Sequence, residues 1–119
     1  MKRMRAAAAR VVILVLSLFP FVAMQGRADA AGDVKAGRQM AQKCEVCHGL
    51  DGISKVVEAP NLAGQNEQYL AEQLTAFKAG KRENEMMSIV APMLSSDDIQ
   101  NLAAYYSAIE IKVGRIPGQ

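Results

Sequence analysis

The sequence predicts an all-α domain, and three observations carry that reading. Apolar residues recur at spacings of three and four inside segments that open on helix-capping residues. No stretch alternates apolar and polar residues in the way a half-buried strand does. The apolar complement is rich in alanine and poor in aromatics, with no Trp in 119 residues. A core of that kind is too thin to close easily around itself at this size, so a bulky apolar partner is expected.

The chain divides at residue 30. MKRMRAAAAR is a basic segment, VVILVLSLFPFVAM is an uncharged apolar run of 14 residues, and Ala28-Asp29-Ala30 places small residues where a signal peptidase reads them. Residues 1–30 are therefore expected to be a signal peptide and residues 31–119 an exported, periplasmic domain. The run is shorter than the roughly 18 residues that span a bilayer, and Pro20 interrupts it. An uncleaved N-terminal tether is the alternative. The formal charge of +2 belongs to this leader, which holds five of the 14 Lys and Arg but only one acid. From residue 31 onward nine bases face eleven acids, a balance of −2 that argues against nucleic acid as a partner.

Within the domain, Asp33 is a candidate N-cap for a short helix through Lys43, with Val34, Gly37, Met40 and Ala41 on one face. Gly49, Gly52, Pro60 and Gly64 mark the next stretch, to Gln65, as loop. Asn66 opens a second helix through Ala79, on which Leu70, Leu74 and Phe77 align, and Gly80 ends it. Residues 81–94 mix polar residues with MMSIVAPML and are too broken by Pro92 to form one regular element. Ser95-x-x-Asp98 has the form of a capping box opening a last helix, along which Ile99, Leu102, Ala103, Tyr106 and Ile109 share a face.

Both cysteines and the single histidine lie together in CEVCHG, residues 44–49. C-x-x-C-H is the attachment signature of c-type haem. Thiols three residues apart can form thioethers with the two vinyl groups on one porphyrin edge, and the following imidazole can then ligate the iron. Cys44 and Cys47 are thus candidate attachment residues and His48 the candidate proximal ligand. Three other uses of these residues compete. A C-x-x-C redox site normally follows a strand in a thioredoxin-like fold; a structural zinc needs a fourth ligand; a Cys44–Cys47 disulfide would leave His48 without a purpose. With one histidine in the chain, a second imidazole ligand is not available, and methionine is the other common choice in electron carriers. Met40 precedes the motif too closely and reads as core, whereas Met86, Met87 and Met93 are equally placed by spacing alone.

From Asp33 to Ile109 the chain resembles the small bacterial class I c-type cytochromes, and in particular one half of the two-haem periplasmic cytochromes. CEVCHGLDG, PNLAGQNEQYLAEQL, FKAGKR, MSIVAPMLSSDDI and LAAYYSAI carry the resemblance. It implies a class I cytochrome c fold whose helices surround one covalently attached haem. It also implies a ligand methionine seven residues before the Leu of the Leu-Ser that opens the last helix, which here selects Met87. Pro60 would accept a hydrogen bond from the Nδ1 side of His48 through its carbonyl, in the second shell of the iron. Gly37 and Tyr105 or Tyr106 would form the contact between first and last helices, while Arg82 and Gln65 either reach a haem propionate or end in solvent. The sequence departs from the two-haem relatives in having one C-x-x-C-H and no length for a second such domain.

The resemblance implies a non-enzymatic, periplasmic carrier of single electrons between redox partner proteins, membrane-bound or periplasmic donors on one side and a terminal oxidase or reductase on the other. No small-molecule substrate is expected. A dedicated cytochrome subunit of an exported dehydrogenase, such as a sulfur-oxidising flavocytochrome, is the alternative. A catalytic or gas-sensing haem with an open sixth position is a third reading, but the sequence offers it no distal histidine or acid/base pair.

Overall fold

The computed structural model describes residues 31–118, so the expected signal peptide lies outside the described residues. In order, the elements are α1 (Val34–Ala41), α2 (Glu45–His48), α3 (Glu67–Lys78), α4 (Met87–Val90), a 3-10 turn (Ala91–Met93) and α5 (Ser96–Ser107). No strand occurs among the described residues, in agreement with the all-α expectation. No helix there is long and apolar enough to cross a membrane.

The three long helices begin where their capping residues place them. Asp33 accepts the N–H of Ala36 at 2.9 Å, and Asn66 accepts that of Tyr69 at 2.9 Å. At α5 the capping box is complete. Ser95 Oγ accepts the Asp98 N–H at 3.0 Å, and Asp98 Oδ2 accepts the Ser95 N–H at 2.9 Å. Each cap satisfies donors that the first turn leaves without a carbonyl, an effect of about 1 kcal/mol per cap. Gly80 closes α3 at φ +66°, and the Lys81 N–H returns to the Ala76 carbonyl at 2.8 Å.

Helix α5 is the centre of the fold. Its buried face, including Ile99, Leu102, Ala103 and Tyr106, packs on α1 at one side and on α3 at the other. The α1–α5 crossing depends on Gly37. A Cβ there would lie 1.9 Å from the Asn101 carbonyl oxygen and 2.7 Å from the Tyr105 Cβ, so no larger residue fits without displacing the backbone. Of the two tyrosines considered for this contact, Tyr105 is the one that meets Gly37. The core is as slight as the composition suggests: no large side chain among the described residues is completely buried.

Two helix ends and two short elements differ from the sequence expectation. Helix α1 stops at Ala41, not Lys43, because the Lys43 and Cys44 N–H groups bond to Met40 and Ala41 in tight turns. Helix α5 stops at Ser107, and Ile109 lies beyond it while still packing against the core. There the Gly64 N–H takes the Tyr106 carbonyl at 2.9 Å, tying the end of α5 to the loop. The one-turn helices α2 and α4 have no counterpart in the expected elements, since four residues are too few to show a period.

Candidate cofactor centre

The C-x-x-C-H residues are brought together by α2. Cys44 caps it, Cys47 lies in it and His48 ends it, so the three side chains are spaced around a single turn. Both cysteines are unpaired and half-buried. Burial pushes the Cys44 thiol above its ordinary range, an effect that neighbouring Lys43 partly offsets. The competing uses find no support here. The two sulfurs do not form a disulfide, no strand leads into the motif, and no group of three or more Cys, His, Asp or Glu among the described residues is placed to hold a metal.

His48 is 8% exposed, the one buried polar or charged side chain among the described residues. Its Nδ1 stands 2.9 Å from the Pro60 carbonyl oxygen. A carbonyl only accepts, so Nδ1 carries the proton and Nε2 keeps its lone pair. This is the tautomer a metal-binding imidazole needs, with the ring orientation fixed from behind. Pro60 is held in place by the preceding loop. The Gly52 carbonyl accepts the N–H groups of Leu62 at 2.8 Å and Ala63 at 3.0 Å, and Asn61 Oδ1 accepts the Ser54 N–H at 2.7 Å. Gly52 makes that fold-back possible: its φ is +69°, and a Cβ would lie 2.6 Å from the Ala63 nitrogen.

Two residues that the sequence assigned only to packing also hold the chain next to His48. The Tyr105 hydroxyl donates to the Leu50 carbonyl at 2.6 Å, and the Tyr106 hydroxyl donates to the Gly49 carbonyl at 3.3 Å. The rings lie 5.1 Å apart, and burial raises the Tyr106 hydroxyl pKa far above its ordinary value. Adjacent tyrosines in an otherwise aromatic-poor domain were the available signal. The carbonyls they reach, 55 and 57 residues away, could not be identified from it.

The candidate methionines differ in exposure. Met86 is 58% and Met93 73% exposed, whereas Met87, the first residue of α4, is half-buried. Met40 is half-buried against the core, as expected of a filler. Helix α4 packs on α3 and the 3-10 turn and makes no extensive contact with α2. His48 and Met87 are therefore presented by separate elements that do not pack closely on one another. Arg82 lies with its guanidinium 4.5 Å from the Phe77 ring centroid and donates to Gln73 Oε1 at 2.7 Å; Gln65 Oε1 accepts the Asn66 N–H at 2.8 Å. Both side chains thus have partners within the protein. The donor set as a whole fits a covalently held haem: two free thiols on one helical turn, an imidazole with Nε2 available, and a thioether on another element.

Comparison with known proteins agrees with this chemistry. The cytochrome c family profile matches residues 34–109. Cytochrome c4 of Pseudomonas aeruginosa is 41% identical over 101 residues, covering 85% of this chain and 50% of that protein. Cytochrome c-554(548) of Halomonas halodenitrificans is 40% identical over 83 residues, covering 67% of this chain and 100% of that protein. Among solved structures, a thiosulfate dehydrogenase of Marichromatium purpuratum superposes with a TM-score of 0.61 at 35% identity, over 71% of this chain and 21% of that one. The chain spans about half the length of the cytochrome c4 relatives it matches.

Proposed function

The chain belongs to the cytochrome c family, and on that premise we propose that it carries single electrons between redox proteins, and that His48 and Met87 would hold the iron of one covalently bound haem c. When bound, that group supplies reversible one-electron exchange at iron. The observation that carries the proposal is the His48–Pro60 hydrogen bond, which keeps the proton on Nδ1, fixes the ring and leaves Nε2 free to ligate.

The remaining residues have roles consistent with a carrier. Cys44 and Cys47 provide the two sulfurs that tether the cofactor, so it is not lost outside the cytoplasm. The Tyr105 and Tyr106 hydroxyls hold the backbone directly after His48 and so help to fix the position of the imidazole. Met87 would supply a soft, neutral ligand of the kind that raises the reduction potential of a haem. With His48 and Met87 both holding the iron, the protein would leave no place there for a substrate, and the reading is a non-enzymatic carrier. The basic, apolar leader supports a periplasmic location. Exposed Val46, within the attachment turn, suits a small, transient contact with redox partners.

A second reading is a dedicated electron acceptor within an exported dehydrogenase, favoured by the similarity to a thiosulfate dehydrogenase chain. Stable co-purification with a larger subunit would select it over a free carrier. The ligand assignment is tested by absorption spectroscopy of the purified protein. Low-spin spectra in both oxidation states and a weak far-red sulfur-to-iron band in the oxidised form are expected. Met87→Ala should lose that band; a variant that keeps it would refute Met87 as ligand.

A further inference from the structure

We propose that Asn84 is a positioning residue for the methionine ligand: its side chain, carried on a backbone that Ser88 holds, decides that Met87 and not its neighbour Met86 is presented to the iron. The inference rests on the reading of Met87 as ligand given above.

Asn84 Oδ1 accepts the backbone N–H groups of both Met86 and Met87, each at 3.0 Å. The Asn84 N–H donates to Ser88 Oγ at 3.0 Å, and the Asn84 carbonyl accepts the Ser88 N–H at 2.9 Å. The two residues thus close around the turn in both directions. They also satisfy the N–H groups that the start of α4 leaves without a carbonyl partner. This matters because α4 is four residues long, far below the roughly 12 at which a helix holds itself together. Its register must be imposed from outside.

Register decides ligand identity because neighbouring residues on a helical turn project about 100° apart. In the observed register Met86 points largely to solvent and Met87 is half-buried. A slip of one residue would put Met86 in the place of Met87, and both carry the same thioether. At its far end the segment is held by Lys78, whose ammonium donates to the Leu94 carbonyl just before the α5 capping box. The near end depends on Asn84, an exposed residue outside the core cluster, so removing its side chain leaves the core intact.

The test uses the haem-loaded protein and measures displacement of the ligand sulfur from ferric iron by imidazole, followed by loss of the far-red band. Asn84→Ala is expected to bind imidazole about fivefold more tightly, the effect of losing a cap of ordinary strength. Asn84→Asp and Asn84→Ser, which keep an acceptor oxygen, should restore most of the wild-type value. Ser88→Ala should move affinity the same way by a smaller factor, which preserves the test if Asn84→Ala folds poorly. Asn66→Ala, an equivalent cap lost at α3, should lower overall stability without changing imidazole affinity. An unchanged affinity in Asn84→Ala and Ser88→Ala, or an equal rise in Asn66→Ala, would overturn the proposal while leaving the Met87 assignment standing. Retention of the band in Met87→Ala would overturn that assignment itself, and this inference with it.

Discussion

A single proton fixes the chemistry of His48. With Nδ1–H committed to the Pro60 carbonyl, the opposite nitrogen of a nearly buried ring is left as a donor atom for a metal. The backbone that follows has its own supports, of which the Tyr105 hydroxyl on the Leu50 carbonyl is the shorter. Tyr105→Phe keeps the ring against Gly37 and removes only the hydroxyl, so a loss of about 1 kcal/mol in denaturant-induced unfolding is expected. Tyr106→Phe, whose bond is longer, should cost less; a Tyr105→Phe protein as stable as the parent would show that the Leu50 carbonyl finds another donor. The roles proposed for Cys44, Cys47 and His48 are read from the sequence alone because their spacing is local and specific. Pro60 and Met87 came only through family resemblance, since neither is marked by its neighbours. The tyrosine hydroxyl bonds and the Asn84–Ser88 closure were not legible, because the first pair spans most of the domain and the second depends on where a one-turn helix starts.

Among the elements, those that begin with a strong local signal were the ones the sequence located well. Asp33, Asn66 and Ser95 each bond back to the first turn of the helix they open, so a few neighbouring residues set those boundaries. The ends are decided by tertiary contacts. Ile109 continues the apolar period of α5, yet the helix has already stopped where Gly64 bonds the Tyr106 carbonyl. The α5 capping box also makes a prediction about acid. The backbone N–H of Ser95, and then its hydroxyl, hold the Asp98 carboxyl below its ordinary value of 3.8. An aspartate depressed in the folded state contributes stability that is present above its unfolded value and is lost as pH falls through the folded one. Asp98→Asn should therefore be less stable than the parent near neutrality, and the difference should shrink as pH drops below that ordinary aspartate value. Unfolding curves collected across this range would contradict the account if the gap stayed constant.

At the scale of the whole molecule, one helix organises everything else. Helix α5 packs on α1 and α3, and its two tyrosines reach the loop behind the imidazole, so the stable part of the fold and the ligand-bearing part share a single support. Met87, the proposed second ligand, comes from a short segment attached to α3 and held at both ends by side chains. Such a division suits a carrier, whose rate depends on how little its ligands move between oxidation states. The alanine-rich core contains no large, completely buried side chain among the described residues, so the domain gains little from burial alone. Its cofactor is then part of the architecture as well as of the function. The most direct measurement is a potentiometric titration of the exported protein followed by visible absorption. The account predicts one reversible one-electron transition between two low-spin forms, with a reduced form that does not take up carbon monoxide. A reduced form that is high-spin and binds carbon monoxide at once, or a protein with no absorbing centre to titrate, would contradict it.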